Sequence, residues 1–422
     1  MHLLKAFLRS AAYERRFLAK NQWDLAMVLW IPLATVLLVW WIFSQTQIND
    51  LPIGVVDQDN GPIANTLVRY LEASPELTVY QHYHSPADVE AAILQRDVYA
   101  VVIIPEDFSR NISSSKPAPV VLQVNAQYGT HSGIIQTSVQ AVVGTLSAGV
   151  EIQRLVKQGM APSQAAINYS PIAIQRTSLF NAINNYQQFL ASTVIPALLH
   201  ILAMVIGATT IGRELRDKQL GRWSRFIDSG TPDFTLGNYN GQYKNNDIKH
   251  TNSIRKASLS VLFVGLLGKY FWPILAYSVW SALALWLATP QQSVDTVSLL
   301  ITYMSLVLLM TLSFWLGAVF TLGSFSLRMG LPATGFISVP SYAFAGVTYP
   351  YIAITDSAKY WADALPLTHY LQLHIAQLQM QALVAVSLPI VYGLLLATII
   401  ALILMVVLTK RALAHPERWG AR

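Results

Sequence analysis

Apolar and polar positions alternate along this chain on two scales. On the longer scale, six apolar runs stand out, at Leu25–Phe43, Phe189–Ile211, Tyr270–Ala288, Ser298–Leu322, Gly330–Val347 and Leu383–Leu408. A helix that crosses hydrocarbon needs roughly 20 mostly apolar residues, each rising about 1.5 Å. The pattern therefore predicts six transmembrane helices. The fifth run carries Pro332, Gly335, Pro340 and Gly346. A span accommodates such residues only where neighbouring helices or a cavity satisfy the freed backbone groups, so this one is expected to be kinked or enclosed.

On the shorter scale, residues 44–188 break into brief β-branched runs and amphipathic stretches: PIGVVD, PIANTLVRYLEA, LTVYQHY, PADVEAAILQR, YAVVIIP and PVVLQVNA. They predict strand, helix, strand, helix, strand, strand, a small α/β domain with its own core. From His131 to Lys157, apolar Ile134, Ile135, Val139, Val142, Val143 and Leu146 recur at helical spacing, which predicts a long helix packed along one face. The stretch Asp57 to Gly61 has the composition of a calcium loop. Its glycine falls one place early, however, and Val68 stands where a bidentate Glu is needed. The plainer expectation is a strand ending in a turn that starts a helix, with Asn60 as the cap and Pro62 in the first turn.

The fold class is thus an α-helical integral membrane protein with six transmembrane helices and an inserted extracytoplasmic α/β domain. Six crossings put both chain ends on one side, and basic residues say which. Residues 1–24, 212–269, 323–329 and 409–422 hold 20 of the 28 Lys and Arg against 8 acidic residues, while the alternate segments hold 8 basic and 14 acidic. The excess of Lys and Arg on cytoplasmic segments places both termini in the cytoplasm, with 44–188 and 348–382 facing outward. Residues 1–24 set Leu4, Phe7, Leu8, Ala11 and Leu18 among Lys5, Arg9, Arg15, Arg16 and Lys20. They read as a helix lying in the inner interface among acidic headgroups, or as one packed on protein. The first span follows a long polar lead and FSQTQ lacks a small-x-small cleavage pattern, so it is expected to remain as an anchor.

Composition narrows the classes of function. The chain is 53% apolar and 12% charged, the balance of a membrane protein. Its net charge of +6 follows the two membrane sides and forms no single patch, which excludes a nucleic-acid partner. With no cysteine there is no disulfide or thiolate site. No Asp, Glu, Lys or Arg falls inside the six predicted span cores, so an ion-coupled carrier would depend on His200 alone. Among Leu198, Leu199, Ile201 and Leu202, that histidine reads more simply as a hydrogen-bonded packing residue. GLLGKY at 265–270 lacks both the glycine spacing and the Ser or Thr of a phosphate loop. No catalytic motif and no metal-ligand spacing stands out, so neither catalysis nor a cofactor is assigned to this chain.

One charged stretch remains: IGRELRDKQLGRW, residues 211–223, directly after the second span. Glu214 and Lys218 stand four apart in the favoured orientation, and Arg213 and Asp217 form the reverse pair, so a short charged helix is expected. It is either an anchor that sets topology or a docking helix that takes force from a partner.

Several segments together resemble the ABC-2 class of ABC exporter permeases, in particular bacterial members with one span, a large periplasmic domain, then five spans. These are VDQDNGPIANTLVRYL (56–71), LFNAINNYQQFLASTVIPALLH (179–200), GRELRDKQLG (212–221), LLGKYFWPILAYSV (266–279) and PSYAFAGVTYPYIAITDSAKYWADALPLTHY (340–370). The resemblance implies a multi-pass permease subunit of the bacterial inner membrane. It would pair with a second copy or a paralogue and be driven by separate ABC ATPase subunits that hold ATP and Mg. On that footing Arg213, Glu214, Arg216, Asp217 and Gly221 couple to the ATPase. Faces of the second and fifth spans line a substrate path, with Asn181, Asn185, Tyr186, Phe189, Thr193 and Pro196 at its outer half. The expected cargo is amphipathic: drugs, other small molecules or lipids. Membrane lipids and a periplasmic adaptor are further expected partners. The chain departs from the family in two places. Lys218-Gln219 stand where Gly-Thr is usual, and 224–258 is a polar stretch where a short apolar helix is usual. The alternative is a membrane-anchored binding or assembly protein whose outward domain docks a partner without transport.

Overall fold

The structure, a computed structural model, describes residues 1–45, 47–169, 179–181, 185–229, 258–289 and 294–420. Two compact units emerge: Met1–Thr46 with Leu179–Arg422, and Gln47–Ser178.

In the second of these, strands β1 (Leu51–Asp57), β2 (Leu77–His82), β3 (Ala100–Ile104) and β4 (Val121–Val124) form one sheet in the order β2-β1-β3-β4. The first three are parallel, and β4 runs antiparallel to β3. Parallel strands need crossover helices, which cover both sheet faces and make the central strands apolar throughout. Helix α4 (Pro62–Glu72) joins β1 to β2, and α5 (Pro86–Gln95) joins β2 to β3. On one face Ile53, Val55, Val102 and Ile104 pack with Leu67 and Leu71 of α4. Ile135 and Val139 of the long helix α7 (Gly129–Lys157) join the same core. On the other face Val56, Val101 and Ile103 meet Val89 and Ala92 of α5. A short α6 (Phe108–Ser113), not foreseen in the sequence, precedes β4, and α8 (Pro162–Tyr169) follows α7.

The turn after β1 corrects one expectation. Gly61, not Asn60, is the N-cap of α4, and Asn60 is in the left-handed region. Capping comes from a distance: the Ser109 hydroxyl accepts from the Ile63 and Ala64 amides at 3.2 and 3.3 Å, and donates to Asp59. A Cβ at Gly61 would strike both Ser109 and Asp59, which is why the cap residue itself has no side chain.

The other unit holds the apolar helices. Among the described residues, five helices are long and apolar enough to cross a membrane, or six if one bent pair counts as a span. The bent pair is α2 (Gln22–Val28) and α3 (Trp30–Ile42), turned by 41°. Pro32 explains the break, since it has no N–H for the Val28 carbonyl. The Trp280 indole donates to that carbonyl instead, at 3.1 Å. Second comes Gln187–Arg216, which opens in a π-helical turn, Gln187–Ala191, and continues as α9 (Ser192–Arg216). Helix α10 (Leu220–Ser229) follows. The next helices of span length are α11 (Leu259–Ala288) and α12 (Thr296–Ser324).

The fifth predicted span is interrupted. It comprises α13 (Leu327–Ser338) and α14 (Ser341–Phe344), separated at Val339-Pro340. Neither piece has span length. Two helices, α15 (Asp356–Ala364) and α16 (Pro366–His374), and a π-helical turn at Ile375–Gln379 occupy the region expected to be re-entrant. The last helix of span length is α17 (Val384–Ala414). The remaining helix that passes on length and composition is α7, the least apolar of the five, whose Ile135 and Val139 belong to the sheet core.

Helices α9 and α12 pack more extensively than any other pair. A Cβ on Gly207 would collide with the Phe314 carbonyl, and one on Gly317 with the Met204 carbonyl. Small residues that let backbones touch hold helices together where lipid offers no hydrophobic gain. His200 lies in the same seam and bonds Ser313 at 2.6 Å, the packing role expected of it. The polar stretch 224–258 does not begin as a loop: residues 224–229 continue helix α10, with Ser224 and Ile227 buried, and residues 230–257 lie outside the described residues.

Candidate functional site

The first helix, α1 (His2–Lys20), shows what the charged stretch is built around. Its inward face is Ala6, Ser10, Tyr13, Glu14 and Leu18, and it leaves Leu3, Leu4 and Leu8 exposed. The helix packs along α11, where Gly268 admits the Phe7 backbone. Gly265 and Gly268 are thus contact points inside a helix. Residues 259–269 are helical and continuous with the apolar run that starts at Tyr270.

Glu14, on the inward face of α1, meets Arg213 of α9 and Lys269 of α11, the latter at 3.4 Å. Lys269 also pairs with Glu214 at 2.8 Å, and Tyr13 donates to Glu214 at 3.1 Å. Arg213 reaches Asp24 at 3.6 Å and lies over the Phe17 ring, while Lys269 faces the rings of Tyr13 and Trp223. Glu14, Lys269, Arg213 and Glu214 are all buried. Three carboxylates and two cations from four elements form one cluster. Charges out of water are tolerated only when paired this closely, each otherwise costing several kcal/mol.

This corrects the local pairing. Glu214 is joined to Lys269 and Tyr13 instead of Lys218, and Arg213 to Glu14 and Asp24 instead of Asp217. The charged helix is also not separate. Helix α9 carries Arg213 and Glu214 to its end at Arg216, and the chain turns a corner at 217–219 before α10. Lys218 has φ 55°, and the Gln219 amide returns to the Glu214 carbonyl at 2.8 Å. That is a left-handed helix terminus, where glycine is favoured. Arg216, Lys218 and Arg222 are exposed at this corner, Asp217 is half-buried and bonded to Arg216, and Gly221 is buried. The chain's last turn closes behind it, the Gly420 amide bonding the Phe325 carbonyl.

Of the six path candidates, Asn181 and Asn185 meet directly, the Asn181 side chain accepting from the Asn185 amide at 2.8 Å and donating to its carbonyl at 3.3 Å. Asn181 lines a cleft of about 220 Å³ together with Phe180, Gln188, His374, Gln379 and Met380. Asn185 also caps the start of the second span, accepting from the Gln187 and Gln188 amides at 2.9 and 3.1 Å. Tyr186 and Phe189 meet edge to face. Thr193 is buried against the Tyr342 hydroxyl at 3.0 Å, and Pro196 is buried within α9.

Comparison with known proteins accords with the resemblance. Residues 23–225 match the family described as ABC-2 family transporter protein. The chain is therefore similar to ABC-2 type permeases. A probable multidrug ABC transporter permease, YbhR, of Escherichia coli K12 is 19% identical over 213 residues, covering 49% of this chain and 55% of the relative. The same protein of Escherichia coli O157:H7 matches equally. The chain thus spans about half the length of the curated relatives it matches. The ABC-2 match runs through the first span, the sheet unit, the second span and the charged corner, the elements that hold Asp24, Arg213 and Glu214. ABC-2 permeases are multi-pass membrane components of ABC transporters, and the apolar helices fit that description. Sequence reasoning missed Tyr13, Glu14 and Lys269. The signals were a single acid in a basic helix and a lone lysine bordered by apolar residues.

Proposed function

We propose that this chain is the permease subunit of an ATP-driven exporter in a bacterial inner membrane, with both termini cytoplasmic, paired with a second copy or a related permease. Separate ATPase subunits bind ATP and Mg and press on the exposed corner at Arg216, Lys218 and Arg222. The observation that carries this reading is the buried cluster directly behind that corner, which fastens α9 to α1 and α11 through Glu14, Arg213, Glu214 and Lys269. Arg213 and Glu214 then act as transmitters inside the protein, and the surface contact falls to Arg216 and its exposed neighbours. Nucleotide binding does work on the spans only if it favours one of their arrangements over the other.

The multidrug name of the Escherichia coli relative supports amphipathic small molecules as cargo. The test is the double variant Arg216→Glu with Arg222→Glu. It is expected to lose co-purification with the partner ATPase and substrate-stimulated ATP hydrolysis, while the chain still elutes as a folded species. Retention of both activities would remove the corner from the mechanism. If the chain alone moved solute uphill in vesicles without any ATPase, the exporter reading itself would fall.

A further inference from the structure

The cleft beside Asn181 holds an unusual group. His374 is buried, and its Nδ1 lies 3.1 Å from the Tyr370 hydroxyl, itself buried. Among the described residues the Tyr370 hydroxyl has no other partner, so its proton is satisfied only by donation to Nδ1. The neutral ring then carries its proton on Nε2. That Nε2 has no hydrogen-bond partner among the described residues, although His374 forms part of the cleft wall. A buried donor left without an acceptor is costly and is seldom kept without use.

Two further features converge here. The cleft sits between the two π-helical turns, Gln187–Ala191 and Ile375–Gln379, and Gln379 ties them together by donating to the Gln188 carbonyl and the Ser192 hydroxyl, both at 2.9 Å. Such turns concentrate at functional sites. The rest of the wall formed by described residues is amide and apolar, Asn181, Gln188 and Gln379 beside Phe180, Leu378 and Met380, and none of these described lining residues is acidic or is Lys or Arg. Met380, exposed and part of the same wall, is a flexible, adaptable side chain.

The geometry points to a binding site for one end of an uncharged amphipathic molecule, whose carbonyl or ether oxygen accepts from His374 Nε2 while its apolar body lies against Phe180, Leu378 and Met380. At about 220 Å³ the cleft is smaller than the sites that enclose whole drug-sized ligands, so it grips a part. Charged solutes are disfavoured because none of the described lining residues offers them a countercharge. The inference deepens the exporter reading and rests on it only for the direction of transport.

Binding is testable without any ATPase, so failure here leaves the exporter reading standing, and failure there leaves this site standing. The probe is benzophenone, an uncharged diaryl ketone that on irradiation adds across a neighbouring C–H bond. The purified full chain in lipid nanodiscs is expected to be labelled at Leu378 or Met380. His374→Phe should lower the yield about five- to tenfold, the worth of one hydrogen bond. His374→Gln, which keeps an N–H donor at similar reach, should retain most of it. Diphenylmethane, the same shape without the acceptor, should compete at least fivefold more weakly than unlabelled 4-methylbenzophenone. Labelling elsewhere, wild-type labelling of His374→Phe, or equal competition would overturn the site. If His374→Phe does not fold, the competition on the unaltered chain decides.

Discussion

Glu214 and Lys269, 55 positions apart, close a 2.8 Å ion pair with both side chains buried. Removing one partner of such a pair strands the other charge, which costs about 3–5 kcal/mol. Lys269→Met should therefore lower the thermal midpoint of the purified chain sharply, and adding Glu214→Gln should restore part of the loss. No recovery in the double variant would mean that the lysine matters for its packing and not for its charge.

Tyr13 adds a pH dependence. Burial first, then the neighbouring Glu214, holds its hydroxyl proton well above the ordinary tyrosine range. The unfolded chain releases that proton near pH 10, while the folded chain keeps it. The stabilisation is thus fully present below about pH 10 and declines as pH rises beyond it. Melting midpoints followed into alkaline pH should fall less steeply for Tyr13→Phe than for the unaltered chain. Parallel curves would show that Tyr13 does not contribute.

Lys218 occupies a left-handed position at the corner. A side chain there costs about 1–2 kcal/mol relative to glycine. Lys218→Gly, which also restores the residue usual in the resembling family, should raise stability by about 1 kcal/mol, read as a higher melting midpoint. A lower midpoint would show that the lysine makes a compensating contact.

Ser109 supplies the cap that α4 lacks in its own sequence. Loss of a cap costs about 1 kcal/mol. In the full chain, Ser109→Ala should speed hydrogen exchange at the Ile63 and Ala64 amides while leaving the β3 amides protected. Unchanged exchange at both would exclude the capping role.

Periodicity made the sheet unit legible, because parallel strands covered on both faces must be apolar throughout, as Ile53–Val56 and Val101–Ile104 are. It also located the long apolar helices, except that the apolar composition of 330–347 concealed the interruption at Val339-Pro340. The charged stretch was visible, but its pairings were not. A helix offers Glu214 a local partner in Lys218, and nothing in linear spacing reveals that Lys269 and Glu14 arrive from other helices. Pairing by tertiary structure prevailed because Arg213 and Glu214 face inward, where a surface lysine cannot follow. The cleft was legible only through Asn181, since His374 gained its significance from a missing partner.

The indole of Trp280 holds the Val28 carbonyl that Pro32 leaves without a donor. If α11 slid by one turn against the bent helix, that buried oxygen would lose its donor, at a cost of several kcal/mol. The two helices are therefore obliged to travel as a single piece in any stroke that leaves this bond intact, and relative displacement must be taken up at other seams of the bundle.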